Sequence, residues 1–198
     1  MTIVTFISDR PYHHGDLRRA LLDAAVARMA DGGVAALSLR ELARDVGVSH
    51  AAPTHHFGDK TGLLAALASE GFDLLAERLA ATWQRTHDFR EVGVAYVLFA
   101  LDHPVHFSVM FDPESQRVHS KELSTARDKA YTMLAGPLRS LDATADRDIA
   151  TAAWSIAHGL ASLLLAGAVH SATRRRPETV ARAVLGNLFR PSPGQRSS

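Results

Sequence analysis

The chain has 198 residues, of which 46% are apolar and 22% charged, with a formal net charge of +1. That length holds one domain with a real core, or a small domain joined to a larger one. Near charge balance excludes nucleic-acid binding through overall charge, so any polyanion site must be local. The absence of cysteine excludes disulfides and thiolate metal sites.

The N-terminal MTIVTFISDR lacks the basic and long apolar regions of a secretory signal, and a cytoplasmic location is expected. Ala and Leu dominate and strand-type alternation is missing, which makes the chain all-α. The first helix is expected from Gly15 or Asp16, with Leu21, Leu22, Ala25, Val26 and Met29 on one face and Gly32-Gly33 as its stop. Ser38 and Glu41 have the S-x-x-E spacing of a capping box. Leu39, Leu42, Ala43 and Val46 then follow at helical spacing up to Gly47.

After the turn Gly47-Val48-Ser49, a short helix is expected from about His50 to His56. With Ser49 as its N-cap, Pro53 falls on the fourth helical position, at the edge of the first turn. Asp59 is placed to cap a long helix from Lys60 to about Arg85, with Leu63, Leu64, Leu67, Leu74 and Leu75 in its stripe. Further helices are expected near Glu91–Leu101, Pro104–Phe111, Glu114–Leu141, Asp146–His170 and Pro177–Phe189. The Pro- and Ser-rich tail from Arg190 is expected to be disordered. From Ile149 to His170 there is no Asp, Glu, Lys or Arg, a length that can span a bilayer. Its Ala, Ser, Thr and Gly content and the central His158 point instead to a helix buried by protein, with no membrane partner.

A capped helix, a glycine turn and a short polar helix describe a helix-turn-helix, whose second helix enters the DNA major groove. The run SLRELARDVGVSHAAPTHHFGDKTGLLAAL resembles the N-terminal region of the TetR/AcrR family of transcriptional regulators. Gly47, Val48, Ser49, Ala52, His56, Phe57, Lys60 and Leu63 stand at the family's matching places. YHHGDLRRALLDAA, the run from His103 to Phe111, and AWSIAHGLA with Trp154, His158 and Gly159 resemble one branch with a C-terminal Trp-His-Gly element. The resemblance implies an N-terminal three-helix DNA-binding domain over 15–59, after an arm at 1–14. A larger helical domain over 60–190 would bind an effector and dimerise, followed by the tail 191–198. It implies a homodimeric regulator, a repressor released from a palindromic DNA operator by an unknown small molecule. Two departures stand out: Thr54 replaces a usual aromatic, and His55 a usual Arg or Lys.

The candidate DNA contacts are Ser49, His50, Ala51, Thr54 and His55 on the second short helix. His56 and Lys60 face phosphate, and Ser38 and Arg40 reach the backbone. Residues 1–60 carry seven Lys plus Arg against seven Asp plus Glu, but five of the eleven histidines. DNA's field favours protonated histidine, so binding is expected to strengthen at lower pH. The candidate effector pocket comprises Tyr96, Phe99, His103, Phe107, Met110, Phe111, Tyr131, Trp154 and His158, an apolar set with a few polar groups. The candidate dimer surface comprises Ile149, Ala153, Ile156, Leu160, Leu163, Leu164, Val180, Val184 and Leu188, more apolar surface than a small domain should expose.

No cofactor or metal is expected. Adjacent His55 and His56 diverge by roughly 100° around a helix and make a poor ligand pair. An all-α enzyme or a metal-binding protein using the histidine-rich second domain, His103 and His106 with His119 or His158, is the alternative. The chain carries no G-x-S-x-G, P-loop or H-E-x-x-H to support an enzyme.

Overall fold

The computed structural model describes residues 14–118, 120–141, 147–169 and 176–188. All regular elements among them are helical. The chain divides into two compact units, the break falling between Leu63 and Leu64. Residues 1–13 of the expected arm 1–14, the tail 191–198 and His119 lie outside the described residues, and His14 opens the first helix.

The first unit holds α1 (His14–Gly32), a single 3-10 turn at Val34–Ala36, α2 (Leu39–Val46), α3 (Ala52–Phe57) and the start of α4 (Lys60–Thr86). Leu21, Leu22, Ala25, Met29, Leu37 and Leu42 make its core, all at most 4% exposed. Arg28 on α1 ties this core's rim to α2. Its guanidinium donates to Glu41 (2.7 Å) and forks onto Asp45. That bond holds the Asp45 carboxyl below the ordinary aspartate range.

The expected capping box does not form. The Ser38 side chain makes no capping bond, and Glu41 turns to Arg28. A carboxylate gains more from a charged guanidinium than from a neutral amide, so the ion pair wins. Gly47, in the left-handed region at φ 74°, closes α2, and the Val48 N–H returns to the Ala43 carbonyl at 2.9 Å.

The short third helix starts later than the sequence suggested. Ala51, not Ser49, is its N-cap, so the buried Pro53 sits at the second helical position. A helix begun after Ser49 would need an N–H from residue 53 for the Ser49 carbonyl, and proline has none. The Ala52 N–H takes that carbonyl instead, in a tighter turn of 3.0 Å. At the second position the missing N–H costs nothing, because first-turn amides have no intrahelical partner.

After α3 the chain reverses through Gly58, at φ 77° and ψ −72°. The Phe57 carbonyl accepts the Asp59 N–H at 3.0 Å, forming a three-residue γ-turn. A side chain is strained there, which explains the glycine. Asp59 then caps α4 as expected, its Oδ1 accepting the Gly62 N–H at 2.8 Å.

The second unit comprises α4 from Leu64 onward, α5 (Phe89–Asp102), α6 (Pro104–Met110), α7 (Pro113–Gln116), α8 (Lys121–Leu141), α9 (Arg147–Leu165) and α10 (Pro177–Leu188). Asp88 caps α5 by accepting the Arg90 N–H at 2.9 Å. This helix is buried around most of its circumference, with Tyr96, Val97 and Phe99 at most 1% exposed. It packs between α9 and α10, and Arg182 on α10 grips Glu91 at 2.8 and 2.9 Å on its surface.

Two expected helices change length. The single helix over Glu114–Leu141 is two. The first ends at Gln116, where the Arg117 N–H bonds the Glu114 carbonyl at 3.2 Å, and the second starts afresh at α8, where the Ser120 hydroxyl accepts the Leu123 N–H (3.2 Å). The helix expected to reach His170 stops at Leu165. Gly167, at φ 69°, turns the chain, and the Ala168 N–H bonds the Leu163 carbonyl at 2.9 Å. Among the described residues, Asp148–Leu165 is long and apolar enough to cross a membrane. One side of that helix is occupied by α5.

Candidate nucleic-acid interface and ligand cavity

On α3 the side chains divide cleanly. Pro53 is buried and Ala52, His56 and Phe57 are half-buried, while Thr54 and His55 are exposed, with Ser49, His50 and Ala51 just before them. At roughly 100° per residue, Thr54 and His55 are turned away from Pro53 on α3, and His50 and Ala51 are exposed in the turn that leads into it. Arg18 of α1 lies 5.5 Å from the centre of the Phe57 ring and helps hold the buried side. The exposed set is polar and small, with room to approach base edges. Arg40 is exposed in the first turn of α2, and Ser38 and Lys60 are half-buried at the starts of α2 and α4. All these candidates belong to the first unit.

The second unit encloses a cavity of about 350 Å³. Of the candidate pocket residues, Tyr96, Met110, Phe111, Tyr131 and Trp154 line it. Phe99, His103, Phe107 and His158 do not. Phe99 is wholly buried with its ring 5.0 Å from that of His103, farther along the unit's core. His158 and Phe107 stand behind the wall, their ring centres 5.0 Å apart.

Behind that wall runs a closed set of hydrogen bonds. Trp154 Nε1 donates to the Tyr96 hydroxyl at 3.0 Å, and the hydroxyl is 2.9 Å from His158 Nδ1. With Trp154 as donor, the Tyr96 O–H is free to donate to Nδ1, which requires a neutral His158 carrying its proton on Nε2. Burial acts in the same direction on both ends. It pushes the Tyr96 phenol far above its usual range and lowers His158 below the ordinary histidine value of 6.5.

The sign for stability follows. A histidine whose native pKa is depressed contributes fully above pH 6.5, and loses that contribution as pH falls through the interval toward its lower native value. An NMR titration of the His158 Cε1 proton should therefore give a midpoint below 6.5. A midpoint at or above that value would contradict the hydrogen-bond assignment.

Sequence reasoning missed the mouth of the cavity, where Gln116, Arg127 and Asp128 bring polar groups to the lining. Gln116 Nε2 donates to the Met110 carbonyl at 2.6 Å, which turns its Oε1 toward Arg127, and Arg127 Nη2 bonds it. The Arg127 guanidinium lies 5.8 Å from the Phe72 ring centre. Nothing in the local pattern of α8 distinguishes Arg127 from the other charges on that helix.

The candidate dimer residues also divide. Ile149 is 44% and Leu163 52% exposed, and Ala153, Ile156 and Val184 are half-buried. Leu160, Leu164 and Val180, at most 9% exposed, turn into the unit's own core instead. Helical periodicity could not assign them, because α9 is apolar on both faces. Leu165, not anticipated, is 38% exposed. The Leu188 side chain lies outside the described residues. Among the described residues, no group of three or more His, Asp or Glu side chains could hold a metal ion.

Two family models match the chain. "Bacterial regulatory proteins, tetR family" covers residues 21–67, and "Tetracyclin repressor-like, C-terminal domain" covers residues 89–188. The HTH-type transcriptional regulator BetI of Cronobacter sakazakii (strain ATCC BAA-894) is 30% identical over 158 residues, 74% of this chain and 75% of the relative. Among solved structures, a protein of unknown function from Rhodococcus sp. RHA1 superposes with a TM-score of 0.75 at 32% identity, covering 90% of this chain and 98% of that one. AibR, solved in complex with isovaleryl coenzyme A and operator DNA, matches with a TM-score of 0.62 at 18% identity, over 89% of this chain and all of that one.

Proposed function

Since the chain belongs to the TetR family of DNA-binding transcriptional regulators and is not an enzyme, we propose that it is a homodimeric repressor released from a palindromic operator by a small molecule. The observation that carries this reading is the division of labour on α3. Pro53 serves the fold, while His50, Ala51, Thr54 and His55 are exposed and contribute little to it. Those residues would read base edges. Ser38, Arg40, Ser49, His56 and Lys60 would set the register on phosphates, which fix position without reading sequence. Trp154, His158 and Gly159 support reading the chain as one of the branch with a C-terminal Trp-His-Gly element.

A dimer supplies two recognition helices, which must stand roughly 35 Å apart to enter successive major grooves. Ile149 and Leu163, about 40° apart around α9, are large apolar side chains exposed on one face, and pairing with a second copy would cover them. Gly159, where an added Cβ would meet open space, allows a close approach between them. This also accounts for the membrane-length apolar run of α9, half of it serving the unit and half a partner. The protein would then work in the cytoplasm with no membrane partner.

Release needs a second state. A molecule in the 350 Å³ cavity would favour a dimer whose recognition helices are wrongly spaced. DNA affinity then falls by the ligand's preference between the two states. AibR, a protein of the same fold solved with isovaleryl coenzyme A and operator DNA, supports a scaffold that takes both a small molecule and DNA.

The test combines mass and specificity. The purified protein should sediment as a dimer at micromolar concentration. It should also hold a DNA fragment from upstream of its own gene against excess non-specific competitor. A monomer, or binding that competitor abolishes, would remove the reading.

A further inference from the structure

We infer that the cavity takes a small carboxylate with an apolar tail, its headgroup held by Arg127 at the mouth and its tail among Phe111, Tyr96 and Trp154. This deepens the proposed ligand response and rests on that reading. Three observations carry it.

The first is the state of the polar groups at each end. On the inner wall, the Tyr96 hydroxyl is already occupied by Trp154 Nε1 and His158 Nδ1. That end therefore offers a ligand aromatic surface and little hydrogen bonding, which suits hydrocarbon. The second is the state of Arg127. Arg28, Arg78, Arg90 and Arg182 each pair with a carboxylate at their own site. Arg127 instead bonds a neutral amide oxygen on Gln116 and lies near the face of Phe72. Gln116 is itself fixed by the Met110 carbonyl, so the guanidinium is oriented before any ligand arrives. A planar fork with donors to spare matches a carboxylate in charge and shape.

The third is size. Even at about 30 Å³ per water-sized group, the 350 Å³ cavity holds roughly a dozen non-hydrogen atoms, so an eight-carbon carboxylate fits. Asp128 lines the same wall and works against an anion. Its removal should therefore tighten binding, whereas a zwitterionic or cationic ligand would be weakened.

The probes are octanoate, octan-1-ol and octyltrimethylammonium, titrated into the full-length protein without DNA and followed by calorimetry and tryptophan fluorescence. Octanoate should bind at least about tenfold more tightly than the alcohol, in keeping with a charge-assisted hydrogen bond. Arg127→Gln should erase that advantage while leaving octan-1-ol affinity within about twofold, a control that the cavity is still folded. Asp128→Asn should raise octanoate affinity by about twofold to threefold, the scale of one screened surface charge.

The inference is overturned if octyltrimethylammonium binds as well as octanoate, if Arg127→Gln leaves the preference unchanged, or if none of the three binds. Octanoate binding that depends on Arg127 but leaves operator affinity unchanged would uphold the ligand class and remove only the regulatory reading. Conversely, operator binding with no octanoate binding would leave a regulator and overturn this inference.

Discussion

Replacing Thr54 and His55 together with alanine should lower affinity for the specific operator by at least about a hundredfold. A direct base contact is worth about 1–3 kcal/mol of discrimination. Two residues in each of two half-sites make four contacts. At about 1 kcal/mol apiece, that is roughly a thousandfold in dissociation constant, and the smaller figure allows for contacts bridged by water. Binding to random DNA should change little, because neither side chain carries a permanent charge and phosphate contacts dominate that mode. Thermal stability should also hold within about 0.5 kcal/mol, since both residues are exposed. Fluorescence anisotropy on operator and random duplexes, with a thermal melt, separates these outcomes. Equal losses on both DNAs would mean that the two residues serve the phosphate backbone.

The second large effect belongs to the second unit. Tyr96→Phe keeps the ring, with its edge-on contact to Phe107 at 6.1 Å, and deletes one oxygen. That oxygen is the acceptor for Trp154 Nε1 and the neighbour of His158 Nδ1. Losing it leaves two polar atoms without their partner, each costing about 1–3 kcal/mol when fully buried. Trp154 and His158 are only half-buried, so water recovers part of this and the expected net loss is about 2 kcal/mol. Urea denaturation monitored by fluorescence would measure it as a lower midpoint at unchanged slope. A variant as stable as the parent would show that the three side chains contribute nothing as a set.

The fold was largely legible in the sequence because its signals are local. Gly47 and Asp59 are punctuation whose physics needs no partner elsewhere, and both act as read. The failures came where a distant residue intervened or where one local signal overrode another. Glu41 had the spacing of a capping box, but Arg28, thirteen residues earlier, takes its carboxylate. Pro53 was read against the wrong helix start, because the chain moves the start to suit the proline. The break between α7 and α8 was signalled by Ser120, an N-cap residue inside an otherwise helical pattern.

The candidate sites were less legible, for a related reason. Trp154 and His158 share one helix, yet Trp154 lines the cavity and His158 supports it from behind. Apolar composition identifies neither role, since both neighbourhoods are aromatic. Leu160 and Leu163 are both apolar residues on α9, at 8% and 52% exposed, and only the position of α5 separates them. Arg127 carried no signal because its meaning lies in what surrounds it: Gln116 eleven positions earlier and a phenyl ring on another helix.

The placement of Pro53 has a consequence over evolutionary time. The third helix is anchored by a buried ring at its second position and closed by a backbone turn at Gly58. Neither device uses the side chains of positions 50, 51, 54 or 55, only their backbone, so inheritance can rewrite those four letters at little cost to folding. If those four positions read base edges, as proposed, a duplicated gene could shift to a new set of target sites by changing them alone, with the rest of the chain untouched.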